Sequence, residues 1–480
     1  TEFLLRRYAG RHTLVVCGRG NNGGDGLASA RQLHLAGHPV VCAVAAEQAE
    51  QLSPDARTNL EAARRLGVNI LMGATAESVP GYLLGETEVV VDCLLGTGAS
   101  GEMREPLAGL ARMINTLGAR GIPVVAVDIP SGVDAGTGTI ASTTVAATHT
   151  ITFHSAKTGL VVPPGREAAG EILVWEIGLP RHLEPECDVR VVATGQVRVP
   201  GRRSDDHKYR AGYVAVLAGS AEYPGAALLT AGAAVRAGAG YVRLLAVAAV
   251  VAALPSVSVE ITSTSLGESP HLRDVERTMA AVSDPRISAL AFGPGLGREL
   301  DTAEVVRHAV MASKPPAVLD ADGILAFAGR AGDLAARPGL VLTPHVGELA
   351  TLMGASVSEV GRAPLAAARE AAAVTNQVVL LKGSASVIAQ PGGRTWAVVN
   401  GPPQLASAGT GDVLTGVICA MLAKGLAPVE AACTGAWVHA EAGRLAAKKH
   451  RAGAWAGAVL DMIPAAYAGR VYDRRPSWTK

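Results

Sequence analysis

Asn400-Gly401-Pro402-Pro403-Gln404-Leu405-Ala406-Ser407-Ala408-Gly409-Thr410-Gly411-Asp412 is the stretch from which the chain is read. An alternating apolar run, Thr395 to Val399, precedes it and reads as a strand. Val413, Leu414, Val417, Ile418, Met421 and Leu422 follow at helical spacing. Gly409 to Asp412 therefore sits on a loop that opens a helix. Glycines there let backbone N–H groups approach an anion, and the helix N-terminus adds partial positive charge. Such a nest suits a phosphoryl group in flight. A carboxylate in that nest repels phosphate unless it does other work, such as taking a proton from an attacking hydroxyl. Asp is also a common helix cap, but the paired glycines and the Gly/Pro-rich lead-in favour chemistry.

The same strand, polar glycine loop and helix recur through both halves. In the second half, Tyr213 to Ala218 ends in Gly219-Ser220, and Ile287 to Phe292 in Gly293-Pro294-Gly295-Leu296-Gly297. Ala317 to Leu319 ends in Asp320-Ala321-Asp322-Gly323, Leu340 to Leu342 in Thr343-Pro344-His345-Val346-Gly347-Glu348, and Gln377 to Leu381 in Lys382-Gly383-Ser384. In the first half, Thr13 to Cys17, Val40 to Ala46, Glu88 to Leu94, Pro123 to Ile129 and Thr148 to Phe153 alternate with helical segments such as Pro54 to Leu66 and Leu107 to Ala119. This alternation predicts an α/β class, in the first half a parallel sheet covered on both faces, with ligands at the carboxyl ends of the strands.

A chain of 480 residues is too long for one ordinary domain. Val197 to Asp206 is rich in Pro, Gly and mixed charge, which marks a junction. The expected division is 1–197, a linker at 198–206, and 207–480. A net charge of +1 without a basic stripe argues against a nucleic-acid partner. The six cysteines form no C-x-x-C pair, so no disulfide framework or zinc site is expected and a cytoplasmic location fits. The longest apolar run, Leu244 to Leu254, is too short to cross a bilayer. Gly/Ala-rich helices permit close packing between subunits, and a homo-oligomer is expected. The chain begins at Thr1-Glu2-Phe3 without Met, and the natural N-terminus is expected to be missing.

No Gly-Lys-Ser/Thr P-loop occurs, which excludes a Walker-type NTPase. Gly18-x-Gly20-x-x-Gly23 matches the dinucleotide fingerprint, but Asp25 would repel a pyrophosphate. The amide oxygens of the adjacent asparagines better suit a monovalent cation. Asp92 and Asp128 each lie at a strand's end next to a glycine-bearing loop, Val91 to Gly98 and Asp128 to Asp134. Asp134 reads as a solvated charge.

These motifs carry a resemblance. Gly-x-Gly-Asn-Asn-Gly-Gly-Asp-Gly, Val-Asp-x-Leu-Leu-Gly-Thr-Gly and Asp-Ile-Pro-Ser-Gly-Val-Asp resemble the NAD(P)H-hydrate epimerase domain, which is Rossmann-like and interconverts the R and S epimers of hydrated NADH or NADPH. The resemblance implies a potassium ion held by Asn22, Asp92 and Ser131. It implies a hydrate site lined by Asn21, Asn22, Gly23, Gly24, Asp25, Gly96, Thr97, Gly98, Ala99, Ser100, Gly101, Glu102 and Asp128. Asp128 would be the acid/base at C6. Lys157 resembles a lysine of the family's Lys-x-Gly-Leu segment. The family's Met-Glu-x-Ala-Gly-like opening segment is absent from this sequence.

In the second half, His207-Lys208-x-x-x-Gly212, Tyr-Pro-Gly-Ala, Gly-Pro-Gly-Leu-Gly, Asp-Ala-Asp-Gly, Thr-Pro-His-x-Gly-Glu, Leu-Lys-Gly and Ala-Gly-Thr-Gly-Asp-Val-Leu resemble ribokinase-like kinases. More closely they resemble the ADP/ATP-dependent NAD(P)H-hydrate dehydratase domain. The two-domain order is similar to the bacterial bifunctional NAD(P)H-hydrate repair family, a three-layer Rossmann-like unit followed by a ribokinase-like one. The resemblance implies that Asp412 deprotonates the C6 hydroxyl while the amides of Ala408 to Gly411 stabilise the phosphoryl in transit. Lys382, Gly383, Ser384, Ala385, Ser386 and Gly411 would contact ADP, or ATP as the alternative donor. Ala226, Gly295, His345 and Asp412 would contact the NADHX or NADPHX substrate. Mg²⁺ is expected with the nucleotide, and Glu348 resembles a ribokinase-type Glu that orders magnesium-bound water. The blander expectations are loop packing for His345, a snorkelling Lys382, a helix-capping Glu348, a satisfied His439 in an apolar helix, and loop-holding roles for Asp320 and Asp322. A competing reading is a ribokinase-like small-molecule kinase with a dinucleotide-binding regulatory domain.

Overall fold

The structure is a computed structural model that describes residues 1–180, 182, 187–197, 199–202, 204–256, 258–469 and 471–472. It divides into two compact units, Thr1–Glu186 and Cys187–Lys480.

The first unit is built on β1 (Thr13–Cys17), β2 (Val40–Val44), β3 (Asn69–Met72), β4 (Val89–Cys93), β5 (Val124–Val127), β6 (His149–Phe153) and β7 (Glu171–Trp175). They form one sheet in the order β3-β2-β1-β4-β5-β6-β7, all parallel. Every residue of β1 and β4 is buried, which is why residues 14–17 and 89–91 read as apolar runs. The two-residue period sends Val15 and Cys17 into one core and Leu14 and Val16 into the other. The chain reverses direction across the sheet between β1 and β4, so the loops after these two strands open side by side.

The second unit contains β8 (Val189–Val191), β9 (Val199–Pro200), β10 (Tyr213–Leu217), β11 (Tyr241–Ala246), β12 (Thr262–Ser265), β13 (Ala289–Phe292), β14 (Ala317–Leu319), β15 (Leu340–Leu342), β16 (Val378–Leu381), β17 (Ser386–Ala389), β18 (Thr395–Val398) and β19 (Val471–Tyr472). Ten of them form a sheet in the order β12-β11-β10-β13-β14-β15-β16-β17-β18-β8, and β9 pairs with β19. The sheet is parallel from β12 to β16, turns antiparallel through β17 and β18, and is parallel again where β8 joins β18. The antiparallel hairpins interrupt the strand–helix alternation of the rest of the sheet. The short loop between β16 and β17 leaves no room for the helical crossover that a parallel pair needs.

Two further differences follow from pairing. The unit boundary falls ahead of the expected linker, because Val189–Val191 hydrogen-bonds to β18 and Val199–Pro200 to β19. Residues 198 and 203 of that stretch lie outside the described residues. The apolar run Leu244 to Leu254 splits between the end of β11 and the helix Ala248–Ala253.

The helix Thr410–Ala423, which carries Asp412, is buried along nearly its whole length. It lies against the helix Pro224–Arg236, whose buried residues Ala227, Ala231, Ala233 and Ala234 keep the two backbones close. A Cβ on Gly416 would fall 2.1 Å from the Thr230 carbonyl oxygen, so glycine is required at this crossing. No helix among the described residues is long and apolar enough to cross a membrane.

Two candidate active sites

In the second unit the expected loops converge. Gly409 takes φ +86° at the start of the helix Thr410–Ala423, which puts Asp412 in the first turn, half-buried. Gly295 at φ +65° packs on the neighbouring loop. A Cβ there would stand 2.9 Å from the Ala226 methyl and from Tyr223. Gly293 at φ +123° leaves no space for a side chain, since its Cβ would meet the Asp320 carbonyl oxygen at 1.8 Å. The Gly297 amide donates to Asp322 Oδ2 at 3.0 Å. Pro344 O accepts from the Lys382 amide at 2.8 Å, joining the loops after β15 and β16. Lys382 Nζ would lie 3.4 Å from a Cβ on Gly411.

His345 is the N-cap of the helix Val346–Met353. Its Nδ1 accepts from the amides of Gly347 at 2.9 Å and Glu348 at 3.3 Å, while Glu348 Oε2 accepts from the His345 amide at 2.8 Å. The capping expectation for Glu348 is thus what the geometry shows. The exposed remainder of His345 faces a cavity of about 290 Å³, shared with Gly297, Arg298, Asp322, Glu348 and Thr351.

Lys382 does not snorkel. Its ammonium donates to Asp320 Oδ1 at 2.8 Å and stands 3.7 Å from Glu348 Oε2. Burial alone would lower this ammonium, but Asp320 and Glu348 outweigh burial and raise it. Gly383 and Ser384 form the exposed turn between β16 and β17, Ala385 is buried, and Ser386 opens β17. Asp412 has its carboxyl pushed up to about 7, first by burial and then by the negative charge of Asp320, with Lys382 opposing. A carboxylate poised there is ionised enough at neutral pH to take a proton and basic enough to hold it.

In the first unit, Asn21 to Asp25 are not loop but the opening of the helix Asn21–Leu35. The glycines allow this. A Cβ on Gly23 would strike the Gly18 carbonyl oxygen at 2.1 Å, and one on Gly26 would meet the sulfurs of Cys17 and Cys93 at 2.8 Å. Asp92 is fully buried, and Ser131 serves it twice, through Oγ at 2.7 Å and the amide at 2.8 Å. Burial pushes the Asp92 carboxyl up, and the Ser131 and Leu94 bonds partly offset it. Asn22 Nδ2 donates to Leu95 O at 2.7 Å, and the Leu95 amide donates to Ser131 Oγ at 2.9 Å, so Asn22, Asp92 and Ser131 belong to one cluster. Gly96 packs against Asn22, and Thr97 to Glu102, with Ala99 and Ser100 between them, continue as a loop with Glu102 bonded to the Ser142 hydroxyl at 2.5 Å.

Asp128 takes φ +67°, a left-handed conformation that costs a non-glycine residue energy. Its Oδ1 accepts from the Lys157 ammonium, from Thr152 Oγ1 at 3.2 Å and from the Phe153 amide at 3.2 Å. Lys157 also donates to Thr152 Oγ1 and Phe153 O, both at 2.9 Å. Partial desolvation and then the Asp128 charge raise the Asp25 carboxyl.

Sequence reasoning missed Thr415, Thr152 and Ser142. Thr415 Oγ1 donates to Asp320 Oδ2 at 2.6 Å. In the sequence Thr415 is one more small residue in a buried helix, and nothing local marks it. Thr152 lies in a strand read as apolar. His439 is buried as expected, and among the described residues its Nε2 has no hydrogen-bond partner.

The fold and the cleft of the second unit define a ribokinase-like α/β protein. A ribokinase-like superfamily protein from Enterococcus faecalis V583 shares the fold, with TM-score 0.53 at 21% identity, over 60% of this chain and 98% of that one. The family model of NAD(P)H-hydrate dehydratase matches residues 214–465, and that of the YjeF-related protein N-terminus matches residues 1–159. The bifunctional NAD(P)H-hydrate repair enzyme of Moorella thermoacetica is 37% identical over 470 residues, which is 95% of this chain and 88% of that protein. The ADP/ATP-dependent NAD(P)H-hydrate dehydratase of Bacillus subtilis, co-crystallised with ATP/Mg²⁺, is 30% identical with TM-score 0.52, over 59% of this chain and 99% of that one. The chain belongs to the bifunctional NAD(P)H-hydrate repair family.

Proposed function

We propose that the chain returns hydrated NADH and NADPH to use by two reactions. The first unit interconverts the R and S hydrates, and the second dehydrates the S form at the expense of ADP or ATP. The observation that carries this reading is Asp412, a half-buried carboxyl held near neutrality where the glycine loops meet.

Asp412 takes the proton of the C6 hydroxyl as that oxygen attacks the terminal phosphorus of the nucleotide. The amides of Ala408 to Gly411 stabilise the charge on the phosphoryl in transit, an arrangement in which one donor contributes about 3 kcal/mol. The ring nitrogen's electron pair then expels phosphate from C6, and loss of a proton from C5 of the resulting iminium restores the dihydronicotinamide. Ala226, Gly295 and His345 orient the hydrate, and the Lys382 to Ser386 loop and Gly411 hold the nucleotide. Among the described residues no group of three acidic, His or Cys side chains could hold a metal. Mg²⁺ would come with the nucleotide's phosphates and waters, where it would offset their charge. Glu348, whose Oε2 accepts from the His345 amide, would order a water on that metal rather than bind it directly.

In the first unit, among the described residues, Asn22 Oδ1 is buried without a partner, and the buried Asp92 has no cationic side chain bonded to it. A potassium ion would satisfy the first and neutralise the second. Asp128, with Lys157 against it, is the acid/base for inversion at C6, and the segments from Asn21 to Asp25 and Gly96 to Glu102 line the hydrate site.

The test is to supply a mixture of hydrate epimers with ADP or ATP and follow each epimer and the reduced-nicotinamide absorbance. Both epimers should disappear, with one nucleotide consumed per absorbing product. A stable phosphorylated product with no return of absorbance would favour the small-molecule kinase instead.

A further inference from the structure

We propose that Asp320 is a positioning residue of the dehydration site, one that holds the Lys382 ammonium away from Asp412 and fastens the helix that carries Asp412. The inference rests on the dehydratase reading above.

Asp320 follows β14 and is 1% exposed. Its backbone is fixed at both ends. The amide donates to Phe292 O at 3.0 Å, the carbonyl accepts from the Gly323 amide at 2.9 Å, and Gly293 is packed onto that carbonyl. Both carboxylate oxygens are taken. Oδ1 accepts from Lys382 Nζ at 2.8 Å and Oδ2 from Thr415 Oγ1 at 2.6 Å. Thr415 stands about one turn beyond Asp412 in the same helix and also donates to Gly411 O at 3.1 Å. One buried carboxylate therefore ties the end of β14, the end of β16 and the helix Thr410–Ala423 to each other.

The tie matters because Lys382 is within reach of the base. Its ammonium lies beside Gly411, yet among the described residues it pairs with Asp320 and Glu348 and makes no ion pair with Asp412. A lysine paired to Asp412 would favour the ionised carboxylate, by roughly one to three pKa units, and blunt it as a base. With Asp320 in place, the charges acting on Asp412 are Asp320, Asp322 and Glu348, all negative, against Lys382. His439, on the neighbouring helix Pro428–His450, adds no charge, because burial pushes it down to about 4. Burial first, and these negative charges after it, hold the Asp412 carboxyl up to about 7.

The sign of the effect follows. A raised carboxyl accepts a proton only above its own pKa, so wild-type dehydration should fall as pH drops through about 7. In Asp320→Asn the lysine loses its anionic partner and Asp412 loses a repelling neighbour. Both changes lower the Asp412 pKa and move the acidic limb of the rate profile to lower pH.

The experiment compares kcat and KM for ADP against pH, on the S hydrate, in wild type, Asp320→Asn, Thr415→Val and Thr415→Ser, with the melting temperature of each. Asp320→Asn should shift the acidic limb down by about one unit or more. It should also lower kcat at pH 8 by about tenfold or more, while KM for ADP stays within about threefold. Adding Lys382→Met to Asp320→Asn should return the limb part of the way. A folded Asp320→Asn enzyme whose limb stays at the wild-type position would overturn the proposal, whatever its melting temperature. Should Asp320→Asn not fold, Thr415→Val carries the test. It should lower kcat and displace the limb in the same direction, and Thr415→Ser should restore both; an unmoved limb in Thr415→Val would again overturn the proposal. A wild-type enzyme with no nucleotide-driven dehydration refutes the functional reading, a result distinct from any of these.

Discussion

Asp412→Asn is expected to stop nucleotide-driven dehydration, with a loss of about 10² to 10⁴ in kcat, while interconversion of the two epimers continues at the wild-type rate. The amide keeps the size and polarity of the side chain but cannot take a proton. The nest and the nucleotide loop are untouched, so KM for ADP should barely change. Folding should not suffer. Asp412 has a carboxyl raised in the folded state, and such a group penalises folding once pH exceeds its ordinary value of 3.8, with the full penalty present above about 7. Removing the charge lifts that penalty, and the variant should melt slightly higher than wild type at pH 8. Retained turnover in a folded Asp412→Asn enzyme would take Asp412 out of the mechanism.

Asp128→Asn is expected to slow use of the R hydrate by about 10² or more, the scale of a lost acid/base, and to leave dehydration of the S hydrate unchanged. Asn is the substitution of choice because it tolerates the φ of +67° at this position and keeps a polar oxygen for the Thr152 hydroxyl and the Phe153 amide. Lys157 loses its carboxylate and keeps Thr152 Oγ1 and Phe153 O. Separate decay curves for the two epimers are the measurement. Equal consumption of both at the wild-type rate would show that the first unit does no catalysis.

The strands that end in glycine loops were legible because burial on both faces writes an uninterrupted apolar run, as in β1, β4, β13 and β15. Strands with a polar or half-exposed face left no such run. Thr262–Ser265 is all Ser and Thr, and Glu171–Trp175 is partly exposed, so neither stood out. In the site, glycines and acids at strand ends announced themselves by type and place. What composition could not show was how the charges pair. That Lys382, expected at the nucleotide, also bonds to Asp320 is not written in the sequence, and Thr415 has no meaning there until it is known to bond to Asp320. Asn21 to Asp25 looked like a loop because glycine usually breaks helices, yet here its lack of a side chain is what lets a helix begin against β1.

The strand Val189–Val191 closes the rim of the second sheet through Thr395↔Val189, Trp396↔Arg190 and Ala397↔Val191. Anyone wishing to produce the dehydratase portion by itself should therefore start the gene no later than residue 187. A shorter version opening at residue 207 would bare the hydrogen-bonding edge of Thr395–Val398, and an uncovered rim of that kind invites copies to stick to one another before any enzymology can be done.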